Sequence, residues 1–487
     1  MVLGRPQASG LALVERIPTL WSLSTARRAI VVASSLGMAY TQLTTSPANI
    51  ALARSLGATG LHVGILESLP TAMLFMQFVA AVYVNSLRYR RRLWIGVSVA
   101  QRLMLLPPAL GIVLVPELAD HRWLWIFIGA AALNHGLLHF GTPLWMSWMG
   151  DYLPRQGLSQ FWGLRHFWMQ WTAALSLLAG AGLMLGSGGT IRWAFAVLIA
   201  VAAVVGLADV LTYLNVEEPP VTPLPQASLR QVLSDPFRNP PLRSFIAYSC
   251  FWNFACMVGA PFISMFLLQY VGMSVGMVLL VWALSWVGGA VFSGAMGRLA
   301  ERYGHRPLLV LCTVFKPLLM LVLLLLPRHP TLAFWLVVPA FMLDALLNAG
   351  ISIASNGFLL KNSPRQNRSM FIAAGTAVAG MVGGVTAVAA GVVLTGLAQW
   401  SISWGAIHIN AFHLMFAVSF LLRVLSIEWV RRVEEPAAAE VRQVLIQLVG
   451  ATPFRALGFP VGLYRVEERA PEPVEHEERP EKRRLAA

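Results

Sequence analysis

Charge is what this chain most conspicuously lacks. Only 12% of its 487 residues are Asp, Glu, Lys or Arg, against about 25% in an ordinary soluble domain. That shortage excludes a soluble fold, because a water-facing surface needs ionic side chains. Lysine is nearly absent, present only as Lys316, Lys361 and Lys482, and none sits in a Gly-x-x-x-x-Gly-Lys-Ser/Thr loop. A phosphate-cradling ATP site of that kind is therefore excluded. Cysteine is scarce too. Cys250, Cys256 and Cys312 lie singly in apolar stretches, form no Cys-x-x-Cys pair and match no zinc spacing, so they read as small core residues. The net charge of +14 is not gathered into a nucleic-acid-binding patch. It is dispersed among short loops between apolar stretches, the pattern that orients a membrane protein.

What is abundant is apolar sequence, 57% of the chain. Uncharged stretches of about 20 residues become membrane spans, because the bilayer offers no water to solvate side chains. They fall near 29–53, 60–84, 93–115, 123–149, 167–189 and 192–214, then near 245–268, 274–296, 307–327, 332–357, 369–395 and 407–429. The expected organisation is an N-terminal arm (1–28), a six-helix bundle (29–215), a central loop (216–243), a second six-helix bundle (244–430) and a tail (431–487). Within the tail, 436–450 has the pattern of an amphipathic surface helix, and the stretch from Val466 onward reads as disordered. Fifteen loop Arg and Lys residues, Arg90, Arg155, Arg243, Arg306 and Lys361 among them, fall on one side, against Arg54, Arg122, Arg192 and Arg328 on the other. This places the rich side, both termini and the central loop in the cytoplasm of a multi-pass protein of the plasma (inner or cell) membrane.

The halves repeat. Pro154-Arg155-Gln156-Gly157-Leu158-Ser159-Gln160-Phe161 after span four matches Pro364-Arg365-Gln366-Asn367-Arg368-Ser369-Met370-Phe371 after span ten, five positions in eight being identical. Arg90 and Arg306, after spans two and eight, correspond in the same way. Duplicated halves are a recurrent plan of secondary transporters, with the solute site between them near the midplane. The second of these loops runs Gly297-Arg298-Leu299-Ala300-Glu301-Arg302-Tyr303-Gly304-His305-Arg306-Pro307. It resembles the loop signature of the major facilitator superfamily, with Glu301 in place of the usual Asp. In the first half the loop is degenerate, keeping only the basic run Arg90-Arg91-Arg92. Gly297 suits close helix approach and Gly304 a turn of positive φ, while Glu301, Arg302 and Arg306 have the chemistry of a breakable latch. The fold the resemblance implies is all-α, with twelve membrane helices in two pseudo-symmetric bundles.

The resemblance also implies that spans one, four, seven and ten line a central cavity. Polar residues inside lipid are costly and tend to face such a cavity. Those spans carry Gln42 and Thr45, then Asn134, His135 and His139, then Asn253, then Asp344 and Asn348. Asp344, read as an unpaired carboxylate at mid-membrane, is the expected proton carrier. Glu67 of span two and Arg102 of span three are expected to pair with each other or to meet an ionic solute. Trp168, Trp171, Trp282 and Trp286 are the candidates for stacking on it. Asp209 reads as an interface residue. His135 and His139 make only half a zinc site, so no metal and no cofactor is expected. No convergent nucleophile and base mark an enzyme. The expected function is alternating-access transport of a small organic solute by a monomer in lipid, with proton coupling through Asp344. The other reading is a transporter-derived sensor or lipid-handling scaffold that moves no solute.

Overall fold

The computed structural model describes residues 23–84, 87–153, 158–187, 190–219, 237–362, 368–404 and 407–435. The surface helix expected over 436–450, the charged tail, residues 220–236 of the central loop, and the Pro154 and Pro364 turns lie outside the described residues. Among those described, ten helices are long and apolar enough to cross a membrane. Span one is broken into shorter helices and span eight, Val275–Tyr303, has a shorter apolar stretch, so the chain order runs through twelve. Between spans eleven and twelve a small hairpin is added, Ser401–Trp404 pairing antiparallel with Ile407–Asn410. Asn410 then caps span twelve, its side chain accepting from the Phe412 and His413 amides.

Breaks recur at matching spans. Span one is Thr25–Thr44 followed by Ala48–Ser55, and span seven is Pro240–Met257, a tight turn Ala260–Phe262, then Ile263–Gln269. Pro47 and Pro261 sit at these two breaks, because proline withholds the amide that would continue the ladder. Freed backbone groups in lipid must be satisfied internally, and Asn49 does so for span one by donating to the Thr44 carbonyl at 2.5 Å. Spans three (Arg91–Leu103, Leu106–Leu114) and nine (His305–Phe315, Leu318–Leu324) are broken as well. Span two, Gly60–Ala72, carries Pro70 and passes through a single 3₁₀ turn, Met73–Phe75, into Met76–Val84.

The remaining spans are four (Asp120–Tyr152), five (Leu158–Gly186), six (Ile191–Thr212), ten (Pro330–Asn362), eleven (Arg368–Gly396) and twelve (Ala411–Arg431). The halves meet along two seams, span two against span eleven and span five against span eight. At the first, a Cβ on Gly391 would lie 2.6 Å from the Gly60 carbonyl oxygen, so only glycine permits this approach. The Leu61 amide donates to Thr395 Oγ1 across the same seam at 2.7 Å. Apolar packing follows suit. One cluster joins Leu52, Leu56 and Leu198 of the first half to Leu279 and Ala283, and another joins Phe262 and Phe266 of the second half to Ile50 and Val63. Toward the arginine-rich side two clusters stay within one half, Ile30, Trp148 and Val216 in the first, Leu242, Phe358 and Val433 in the second, while a smaller one joins Phe78 of span two to Ala377 of span eleven.

Candidate functional site

In the first half a buried polar network ties spans one, three, four and six together. Arg102 Nη2 lies 2.7 Å from Asp209 Oδ2, and both residues are buried. The Arg102 guanidinium also stacks over the Tyr40 ring, 4.3 Å from its centroid. Gly206 makes the approach possible, since a Cβ there would sit 2.4 Å from Arg102 Cδ. Tyr40 Oη donates to the Gln101 carbonyl at 2.8 Å, and so does Asn134 Nδ2. Three expectations are corrected. Arg102 pairs with Asp209 rather than with Glu67, Asp209 is an interior partner rather than an interface residue, and Asn134, 2% exposed, is spent on this network instead of facing a cavity.

The second half holds a different cluster. Lys316 Nζ lies 2.7 Å from Asp344 Oδ1 and donates to the Asp344 carbonyl at 3.1 Å. The carboxylate expected to be unpaired is thus paired, because Lys316 stands at the break of span nine, where the chain turns beside span ten. Asn348 Nδ2 donates to Asp344 Oδ2 at 3.1 Å and is itself exposed. Leu332, Trp335, Leu336 and Leu343 of the same helix are exposed on another face. At 3.6 residues per turn Asp344, Asn348 and Ser352 fall roughly opposite them, which is the direction of the bundle interior and not of lipid. Lys316 and the neighbouring Arg423 of span twelve were not among the residues singled out from the sequence. The signal was available, since each is a cation in the middle of an apolar span.

The other candidates are placed separately. His139 Nε2 meets the Pro70 carbonyl at 2.8 Å and its Nδ1 meets Gln77 Nε2 at 3.4 Å, so it caps the irregular turn of span two. His135 is buried with Nδ1 unpartnered among the described residues. No third metal-binding side chain joins these two histidines among the described residues. Glu67 lies on the face of span two that meets span eleven, in register with Gly64 and Thr71, and makes no ion pair among the described residues. Gln42 donates to the Met38 sulfur at 3.7 Å, and Thr45 bonds back to the Thr41 carbonyl at the break of span one. Asn253 bonds back to the Ser249 carbonyl and packs on Gly383 of span eleven. Trp171 is exposed, while Trp282 sits edge-on to Phe341 at 5.9 Å with Nε1 buried.

The loop after span eight turns at Gly304, whose φ is +95°, as its sequence position predicts. Gly297 lies on span eight with no described atom within 4 Å of where a Cβ would project, so the close helix approach expected there is not seen among the described residues. The side chains of Glu301 and Arg302 lie outside the described residues. The Arg306 amide donates to Glu435 Oε2 at 2.8 Å, and its guanidinium to the Arg431 carbonyl at 3.0 Å. The first half does the same. The Arg90 and Arg91 amides donate to the Glu218 carboxylate, and the Arg91 guanidinium to the Leu214 carbonyl. The sequence carries a sign of this: Val216-Glu217-Glu218-Pro219 recurs as Val433-Glu434-Glu435-Pro436. In both places a carboxylate at the end of a half caps the N-terminus of that half's third span.

A family model described as Major Facilitator Superfamily matches residues 30–387. No curated protein matches the sequence. Solved structures that resemble the chain include the nucleoside transporter NupG, at 15% identity and a TM-score of 0.60, covering 85% of this chain and 100% of that one. A D-xylose-proton symporter aligns at 11% identity with a TM-score of 0.64, over 85% and 98%. A bacterial homologue of the iron transporter ferroportin, in an inward-facing state, aligns at 13% identity with a TM-score of 0.60, over 84% and 99%. At such identities the likeness speaks for the fold.

Proposed function

Since this chain belongs to the major facilitator superfamily and is a multi-pass secondary transporter, we propose that it moves a small organic solute by alternating access, coupled to protons through Asp344. The path runs by Asp344 and Asn348 of span ten, with Gln42, Thr45, His135, Asn253, Trp171 and Trp282 as further lining candidates. The observation that carries this reading is the Lys316–Asp344–Asn348 cluster, a charged group at mid-span whose polar face is turned away from lipid. Such groups in spans mark solute and proton pathways. Protonating Asp344 would release Lys316, so that the pair has two alternative states a proton selects between. Large apolar clusters join the halves on the arginine-poor side and, among the described residues, a small one, Phe78 with Ala377, joins them on the other; this imbalance favours a state open toward the arginine-rich side. We assign that side to the cytoplasm of a plasma membrane, with both termini there, and take the working unit to be a monomer in lipid without cofactor or nucleic acid.

Reconstituted vesicles test this. Asp344→Asn is expected to abolish accumulation driven by a proton gradient while solute exchange between the two faces persists. Unchanged accumulation in that variant would remove Asp344 from the coupling step.

A further inference from the structure

The halves differ at matching charged positions, and the difference leaves a charge unbalanced among the described residues. Lys316 follows Arg102 by 214 residues, on spans nine and three, and Arg423 follows Asp209 by the same 214, on spans twelve and six. In the first half the cation of the third span faces the acid of the sixth at 2.7 Å. In the second half that acid is replaced by a second cation, and the carboxylate comes from Asp344 instead, 210 residues after Asn134. Arg423 is 2% exposed. Its Nε donates to Ser419 Oγ at 3.2 Å, its Nη1 has no partner, and no carboxylate pairs with it among the described residues. Ser419 is itself engaged, donating to the Ala255 carbonyl at 2.7 Å. Cys256 of span seven lies within electrostatic reach of Lys316, Asp344 and Arg423 together, and Lys316 within reach of Arg423. The three charges therefore share one neighbourhood.

Two cations against one carboxylate leave a net positive charge in an apolar interior. A buried ion without a counter-charge is costly, and a guanidinium is best satisfied by a planar carboxylate accepting two parallel hydrogen bonds. We propose that the Lys316–Asp344–Arg423 cluster is an anion site that takes the carboxylate of an organic acid, entering past Asn348, as the missing counter-charge. The solute of this transporter is then an organic anion and not a neutral sugar or nucleoside. This rests on the reading above that Asp344 and Asn348 line the solute path.

The test is thermal unfolding of the full-length protein in detergent, with acetate, lactate, benzoate and citrate compared with lactamide and benzamide. Ionic strength is held with sodium sulfate, and a parallel series replaces sulfate by chloride. An acid is expected to raise Tm by several degrees where its amide does not. Arg423→Gln is expected to lose that rise, and Asp344→Asn, which removes the competing carboxylate, to reach it at lower acid concentration. Should Arg423→Gln fail to fold, Arg423→Lys keeps the charge without the fork and is expected to need more acid for half the rise. No acid-specific rise, a rise with chloride alone, or an unaltered acid response in the Arg423 variants would overturn the proposal. Gradient-driven uptake of a neutral solute, abolished by Asp344→Asn, would defeat this inference and leave the transport reading standing. No uptake of acid or neutral solute by the unaltered protein would instead count against the transport reading.

Discussion

Arg102 and Asp209 are 107 residues apart in the chain and 2.7 Å apart in the fold. Removing one partner of a buried pair strands the other charge, which costs about 3–5 kcal/mol, whereas replacing both by apolar groups of similar volume is often close to neutral. Asp209→Ala is therefore expected to lower the unfolding temperature sharply, and Arg102→Leu combined with Asp209→Ala to recover much of the loss. Thermal or denaturant unfolding in detergent reads both, and a double variant no more stable than the single would count against a stranded charge as the cause. Residue types in this network were legible in advance, since Arg102, Asn134 and Asp209 stand out in apolar sequence. Their partners were not. Glu67 lay nearer to Arg102 in sequence, but span two turns that face toward span eleven, while Gly206 opens room for Arg102 on span six.

At the scale of the element, helix ends and breaks carry the repeat more plainly than the apolar spans do. The first amides of an α-helix have no partner within it, and the N-terminus carries partial positive charge, so a carboxylate there stabilises by about 1 kcal/mol. Glu435→Ala is expected to loosen the first turn of span nine, and Glu218→Ala that of span three. Amide hydrogen exchange should rise roughly fivefold at Arg306 in the first variant and at Arg90 and Arg91 in the second. No change at those amides would leave the two carboxylates without a capping role. The span positions were readable from hydropathy because burial in lipid is a property of each segment alone. Span seven nevertheless begins at Pro240, ahead of 244, since proline is welcome in a first helical turn. The breaks in spans three and nine are marked in the sequence as well, by Pro107 and Pro108 and by Lys316-Pro317.

For the molecule as a whole, the seam between spans two and eleven is the contact that alternating access has to open and close. With a Cβ on Gly391 only 2.6 Å from the Gly60 oxygen, Gly391→Leu is expected to wedge the seam apart on the arginine-poor side. Transport should fall, and a cysteine introduced as Thr395→Cys, with Cys250, Cys256 and Cys312 replaced, should become reactive to an impermeant maleimide from that side. Wild-type transport with unchanged labelling would show that the seam does not gate the path. By itself the sequence determined that this is a membrane protein, the order of its spans, its duplication and the turn at Gly304. Each of these follows from local quantities, namely transfer free energy summed along a segment, loop charge and the conformational freedom of one glycine. Only the tertiary structure decided that Arg102 answers to Asp209, that Asp344 is held by Lys316, and that Arg423 meets no acid among the described residues. Which charge meets which depends on how helices far apart in the chain rotate and pack against one another, and no single segment contains that information.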